Sequence, residues 1–175
     1  MPLWIFAYGS LLWRAGFPFE RRAAAVIAGW ERRLDQGSPD HRGTPERLGR
    51  VATLVPVVGG RCAGAVYLVK DEDRASVLAA LDHRERGGYD RVEVEAALTD
   101  EGGATVAAVT WVASSENPFH LGRADLETMA AQIRAASGPS GTNRDYVLAL
   151  AEALRTLGAV DREIAMLSAI LRDAE

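Results

Sequence analysis

The chain has 175 residues, a length that suits one domain, and it is read as a single domain over 1–175. Its 48% apolar and 25% charged content is ordinary for a globular protein, and 20 Lys+Arg against 24 Asp+Glu leave a formal net charge of −4. That balance argues against a general nucleic-acid binder, and the single cysteine, Cys62, excludes an intrachain disulfide and any zinc site built on two thiolates.

The chain opens on an apolar run from Pro2 to Leu12 with no basic residues ahead of it. Arg14 ends that run after too few residues for a membrane span, so it reads as a strand followed by a loop. The expectation is a soluble, cytoplasmic protein with neither a membrane nor a nucleic-acid partner.

Short runs rich in Val, Ile, Leu and aromatics, punctuated by Gly or Pro, predict strands at Leu3–Tyr8, Ala24–Leu34, Val51–Val58, Cys62–Val69, Arg91–Ala97 and Thr105–Ala113. One helix interrupts them at about Asp71–Arg86, with Asp71 placed to cap it and Gly87-Gly88 to end it. After Asn117 the pattern turns helical. Leu126, Met129, Ala130 and Ile133 form one stripe, Val147, Leu150, Ala151 and Leu154 a second, and Ile164, Leu167 and Leu171 a third. Asp125, Thr142 or Asn143, and Asp161 are their expected N-caps. Strands first and helices later predict an α+β fold, its mixed or antiparallel sheet either curled or closed into a small barrel and flanked by helices.

Glu85 stands out among the 24 acids. It lies four beyond Leu81 and seven beyond Leu78, so a helix reaching it turns its carboxylate toward the apolar face. Burial and the negative end of the helix both raise a carboxyl pKa there, toward the range useful for general acid–base chemistry. The alternative is a helix that ends before position 85 and a Glu85 paired with an arginine at the surface.

Ala7-Tyr8-Gly9-Ser10-Leu11 runs a strand into a Gly-Ser turn. Such a turn either simply reverses the chain or presents successive N–H groups to an anion. The polar stretch Gln36–Arg50 reads as a loop over the sheet, structural or lid-like, with arginines available to an anionic ligand. Ser38, Asp40 and His41 do not form a triad, because neighbours on one loop cannot align a Ser–His–Asp chain and G-x-S-x-G is absent. A metal site from Asp40, His41, His83 and Glu85 lacks helical ligand spacing, and no metal or cofactor is expected. Ser137–Tyr146 is a Gly/Pro loop that opens a helix without the lysine of a phosphate loop. Cys62, in an apolar strand, reads as a buried thiol.

Taken together, IFAYGSLLW at Ile5–Trp13, SPDHRGTPERLGRVATLV at Ser38–Val55, LDHRERGGY at Leu81–Tyr89, NPFHLG at Asn117–Gly122 and SGPSGTNRDYVLAL at Ser137–Leu150 resemble the ChaC-type γ-glutamylcyclotransferases. The resemblance covers nearly the whole chain. It implies a γ-glutamylcyclotransferase-like fold and cleavage of glutathione to 5-oxoproline and Cys-Gly. It also places the catalytic glutamate on Glu85, the substrate cradle on Ile5, Phe6, Ala7, Tyr8, Gly9 and Ser10, and a ligand-side tyrosine on Tyr146. The alternatives are a cyclotransferase for other γ-glutamyl amino acids or amines, and a γ-glutamyl-binding module without catalysis. One departure stands at Leu34-Asp35-Gln36, where the family often carries aromatics after the paired arginines Arg32-Arg33, and an aspartate there bears on the pocket wall.

Overall fold

A computed structural model describes residues 1–100 and 102–173. Strands β1 (Leu3–Ala7), β2 (Arg21–Ser38), β3 (Gly49–Val69), β4 (Asp90–Leu98) and β5 (Thr105–Val112) close into a barrel in the order β1-β3-β2-β4-β5. Pairing is antiparallel except where β5 meets β1, so the sheet is mixed and has closed on itself. Every residue of β1 is buried, as its unbroken apolar run requires. In β4 the alternation is clean, with Val94, Ala96 and Leu98 inward and Glu93 and Glu95 exposed.

Two expected strands, Val51–Val58 and Cys62–Val69, are one strand. Between the pairs Ala28↔Arg61 and Trp30↔Pro56 the register shifts, and residues 57–60 bulge opposite Gly29. Gly29 (φ 81) and Gly59 (φ 74) adopt the left-handed backbone that this bulge needs, so the glycines bend a continuous ladder rather than end it. A second shift lies between Arg33↔Thr53 and Gln36↔Val51, where Leu34 and Asp35 together oppose Ala52.

The remaining elements are α1 (Arg74–Arg84), α2 (Leu126–Ala135), α3 (Asn143–Thr156) and α4 (Arg162–Arg172), with a two-rung hairpin of β6 (Ser137–Gly138) and β7 (Gly141–Thr142) before α3. The apolar stripes of α2, α3 and α4 are buried as the spacing predicts, with Leu126 and Ala151 half-buried at their margins. Asp125, Thr142 and Asp161 each accept a backbone N–H from the first turn, and so act as the N-caps. Asp71 does not cap α1. It opens a 3-10 turn over Asp71–Asp73, and α1 then runs only to Arg84.

Asn143, the other cap candidate, clips α3 to β3. Its Oδ1 accepts from the Arg50 amide at 2.7 Å and its Nδ2 donates to the Arg50 carbonyl at 2.7 Å. One helical turn on, the Tyr146 hydroxyl accepts from the Ala52 amide. Positions i and i+3 on a helix and i and i+2 on a strand share a face, so this spacing lets one helix grip one strand twice.

Candidate active site

A cavity of about 140 Å³ opens where the end of β1, the β2–β3 connection, the end of α1 and the β6–β7 hairpin converge. Its lining includes Phe6, Ala7, Tyr8, Gly9 and Ser10 from the expected cradle, together with Glu85 and Tyr146. Ile5 lies outside that lining, fully buried.

The cradle is fixed from behind. The Arg32 Nε donates to the Tyr8 carbonyl at 2.7 Å, while Arg32 Nη1 is paired with Asp161 at 2.7 Å. The Tyr8 hydroxyl donates to the Trp111 carbonyl at 2.6 Å. Residues Ser10–Leu12 then form a 3-10 turn, in which the Leu12 amide reaches the Gly9 carbonyl and the Arg14 amide the Ser10 carbonyl. The amides of Ser10 and Leu11 head that turn, where a helical ladder offers N–H groups no acceptor of its own. A Cβ on Gly9 would stand 3.3 Å from the Tyr146 hydroxyl, a contact tighter than side chains ordinarily make.

Glu85 sits one residue past α1 as its C-cap, with its amide bonded to the Leu81 carbonyl at 2.9 Å. The helix therefore ends where the alternative expectation had it end, yet the carboxylate is not at the open surface. Its side chain is 20% exposed and lies 3.5 Å from Arg84 Nε. Burial raises its pKa, Arg84 opposes that rise, and Asp40 adds to it. Arg84 points into the site rather than to a flank, because its Nη2 donates to Ser10 Oγ at 2.7 Å. One guanidinium thus joins the cradle to the carboxylate.

The turn behind Glu85 is held by Asn117. Its Nδ2 donates to the carbonyls of Gly87 and Gly88, and its Oδ1 accepts from Gln36 Nε2 and the Phe119 amide. Gly88 has φ 93, and a Cβ there would fall 1.8 Å from Asn117 Nδ2. The helix ends at Arg84, short of the expected stop at Gly87-Gly88, and that pair instead shapes the turn beyond it and admits the amide that fixes the turn.

Three tyrosines close the cavity. Tyr89, not singled out from sequence, donates its hydroxyl to the Ala52 carbonyl at 2.9 Å. Tyr146 accepts from the Ala52 amide at 3.0 Å and meets Trp13 edge-on at 5.4 Å. Alternate residues of a strand turn their backbone groups to the same edge, so Ala52 faces the side from which Asn143 holds Arg50. Burial pushes the Tyr146 hydroxyl up to about 12, so it stays protonated and able to donate. Tyr8 and Tyr89 are raised by burial as well, and Glu85 acts on all three.

The β2–β3 connection is a built wall. Ser38 Oγ accepts from the amides of His41 and Arg42, which makes it a turn-forming hydroxyl. The Ser140 amide bonds the His41 carbonyl, His41 Nδ1 lies 3.2 Å from Ser140 Oγ, and Arg42 Nη1 donates to the Thr142 carbonyl at 3.2 Å. Of its arginines Arg42 lines the cavity, whereas Arg47 reaches the Ala135 carbonyl and Arg50 is buried against Leu34, Gly122 and Gln132. Leu34, Asp35 and Gln36 do not line the cavity, so the departure there leaves its wall unchanged. His83 also lies outside it, and no group of three metal-ligating side chains is present among the described residues. Cys62 is 2% exposed, away from the cavity, and burial raises its thiol to about 11.

A closed barrel ending in a small, charged cavity with a sheltered carboxylate defines a site for proton transfer on a small molecule. The chain belongs to the ChaC-like family, whose model matches residues 3–174. It is 42% identical over 171 residues to γ-glutamylcyclotransferase 2-3 of Arabidopsis thaliana, covering 94% of this chain and 85% of that one. It is 39% identical over 158 residues to the human glutathione-specific γ-glutamylcyclotransferase 1, covering 89% and 71%. The crystal structure of a yeast γ-glutamyl cyclotransferase specific to glutathione superposes with a TM-score of 0.91 at 25% identity, covering 98% of this chain and 96% of that one. The fold is γ-glutamylcyclotransferase-like, an α+β barrel with helices on its flank. No helix among the described residues is long and apolar enough to cross a membrane.

Proposed function

We propose that this chain is a γ-glutamylcyclotransferase acting on glutathione, with Glu85 as its general acid–base. The α-amine of the γ-glutamyl group attacks its own γ-carbonyl carbon, closing a five-membered lactam. The bond from that carbon to the cysteine nitrogen breaks, and 5-oxoproline and Cys-Gly leave. Because the attack is intramolecular, holding the chain folded supplies much of the acceleration. Glu85 takes the proton that the amine loses and returns it to the departing nitrogen. A carboxylate whose pKa is raised by burial is suited to both halves of that transfer.

The oxyanion formed on the γ-carbonyl needs donors fixed in advance. The amides heading the Ser10–Leu12 turn and the Tyr146 hydroxyl border the same cavity and are the donors this mechanism uses. The observation that carries the assignment is Glu85 itself, sheltered in the cavity wall and tied to the cradle through Arg84. A pure binding module gains nothing from a carboxylate kept partly desolvated. A lone buried thiol also suits a reducing compartment such as the cytoplasm, which we assign on the same reading.

The test is incubation of the purified protein with glutathione, then with γ-glutamyl amino acids and amines, detecting 5-oxoproline by mass. Glutathione is expected to give 5-oxoproline and Cys-Gly in equal amounts. Product only from the other γ-glutamyl compounds moves the substrate, and product from none of them overturns the enzyme reading.

A further inference from the structure

Glu85 and the cradle account for one part of the cavity and leave Arg14 and Arg42 without a task. Both line it. Arg42 donates to the Thr142 carbonyl and lies over the Tyr146 ring at 5.7 Å, so its guanidinium is held in place. It forms no ion pair with a carboxylate among the described residues, although Asp145 acts on it through space. Arg14 is exposed at the cavity rim, and its side chain makes no hydrogen bond or ion pair among the described residues. The two are close enough for Arg14 to disfavour the charge on Arg42.

The charged groups acting on Glu85 are Arg84 and Asp40, whereas Arg14 and Asp145 are those acting on Arg42. One region therefore handles protons, and another gathers two cations that repel until an anion lies between them. With His41 neutral, the lining carries Arg14, Arg42 and Arg84 against Asp40 and Glu85, an excess of one positive charge. A γ-glutamyl dipeptide carries two carboxylates and one ammonium, an excess of one negative charge.

We propose, on the γ-glutamyl reading above, that Arg14 and Arg42 form a subsite for the free C-terminal carboxylate of the γ-glutamyl peptide. Planar guanidinium groups are suited to a carboxylate, and the carbonyl of Thr142 and the ring of Tyr146 pre-orient one of them. The subsite selects peptides with a free terminus over γ-glutamyl amines and over peptides with a masked terminus. It makes Arg14 and Arg42 specificity-determining residues.

The test compares glutathione with its glycine ethyl ester, reading kcat and KM for 5-oxoproline release in wild type, Arg14→Gln and Arg42→Lys. Wild type is expected to prefer glutathione by about tenfold or more in kcat/KM, mostly through KM, as a charge-assisted hydrogen bond warrants. In Arg14→Gln that preference is expected to shrink to about threefold or less, because the group that reads the charge is gone. The Arg14 side chain makes no hydrogen bond or ion pair among the described residues, so its variant is expected to keep the wild-type melting temperature. Arg42→Lys keeps the charge and loses the fork, and an intermediate preference is expected. Turnover of both compounds at equal efficiency by wild type overturns the subsite and leaves the enzyme reading intact. A preference that survives unchanged in both variants overturns it too. Turnover of neither compound by wild type overturns the γ-glutamyl reading itself, and the subsite with it.

Discussion

The Ala52 amide donates to the Tyr146 hydroxyl over 3.0 Å, joining a strand to a helix 94 residues further along the chain. The hydroxyl's own proton is then left to point elsewhere, and Tyr146 lines the cavity. Tyr146→Phe leaves a buried N–H without its acceptor, at a cost of about 1–3 kcal/mol. It also removes a donor that the mechanism assigns to the oxyanion. Both thermal stability and kcat are expected to fall, kcat by ~10-fold or more. Tyr89→Phe is the control. It loses the bond to the Ala52 carbonyl and should lower the melting temperature with a smaller effect on kcat. Equal effects on kcat from the two variants would remove Tyr146 from the chemistry.

Glu85→Gln separates catalysis from folding. Loss of the proton carrier is expected to lower kcat by about 10²–10⁴-fold. Stability should move the other way or stay level. The folded pKa of Glu85 is raised, so its favourable contribution is complete only below the unfolded pKa and is lost as pH rises through the folded one. At neutral pH the carboxylate opposes folding, and an amide does not ionise. A melting curve at pH 7 and at pH 4 checks the sign. A variant that melts well below wild type at pH 7 contradicts it.

Arg84 pulls the Glu85 pKa down against the effect of burial. In wild type, kcat/KM should therefore rise with pH through a midpoint above the usual glutamate value, as Glu85 gives up its proton to serve as base. Arg84→Gln should move that midpoint higher, since a cation that favours the carboxylate has gone. It should also weaken the cradle, because the Ser10 hydroxyl loses its donor. A midpoint unchanged or shifted downward would mean that another group sets the acid limb.

Gly9→Val tests the cradle. A Cβ at Gly9 would meet the Tyr146 hydroxyl at 3.3 Å and the Ala52 Cβ at 3.7 Å. A branched side chain must displace the tyrosine or the turn. A displacement of about 1 Å is enough for an activity loss on the order of 10²-fold, with the circular dichroism spectrum unchanged. Full activity would show that ligand does not depend on this loop.

Periodicity made much of the fold legible. The stripes Met129–Ile133, Val147–Leu154 and Ile164–Leu171 and their caps lie where the spacing puts them, since burying one face of a helix leaves a signal every three or four residues. Gly59-Gly60 misled the strand count, because glycine marks a bulge as readily as a turn. The face of Glu85 was readable from Leu78 and Leu81 even though the helix stops one residue short of it. Arg84, Tyr89 and Asn117 were not, because their roles depend on contacts with Ser10, Ala52 and the Gly87-Gly88 turn. Nothing in composition marks the Ala52 backbone as the point where Tyr89 and Tyr146 both reach β3. The N-x-x-Y spacing at Asn143 and Tyr146 was visible as a motif, but its cause, a double grip on β3, needed the strand beside the helix.

The burial of Cys62 has a consequence for life among thiols. A catalyst for glutathione meets, with every turnover, a partner capable of disulfide exchange. Exchange proceeds through the thiolate, and a thiol raised to about 11 holds roughly one part in ten thousand in that form at pH 7. At 2% exposure that fraction is also out of reach of a disulfide in solution. Oxidation of the surrounding thiol pool would thus leave Cys62 untouched, so that the site is not switched through its own cysteine.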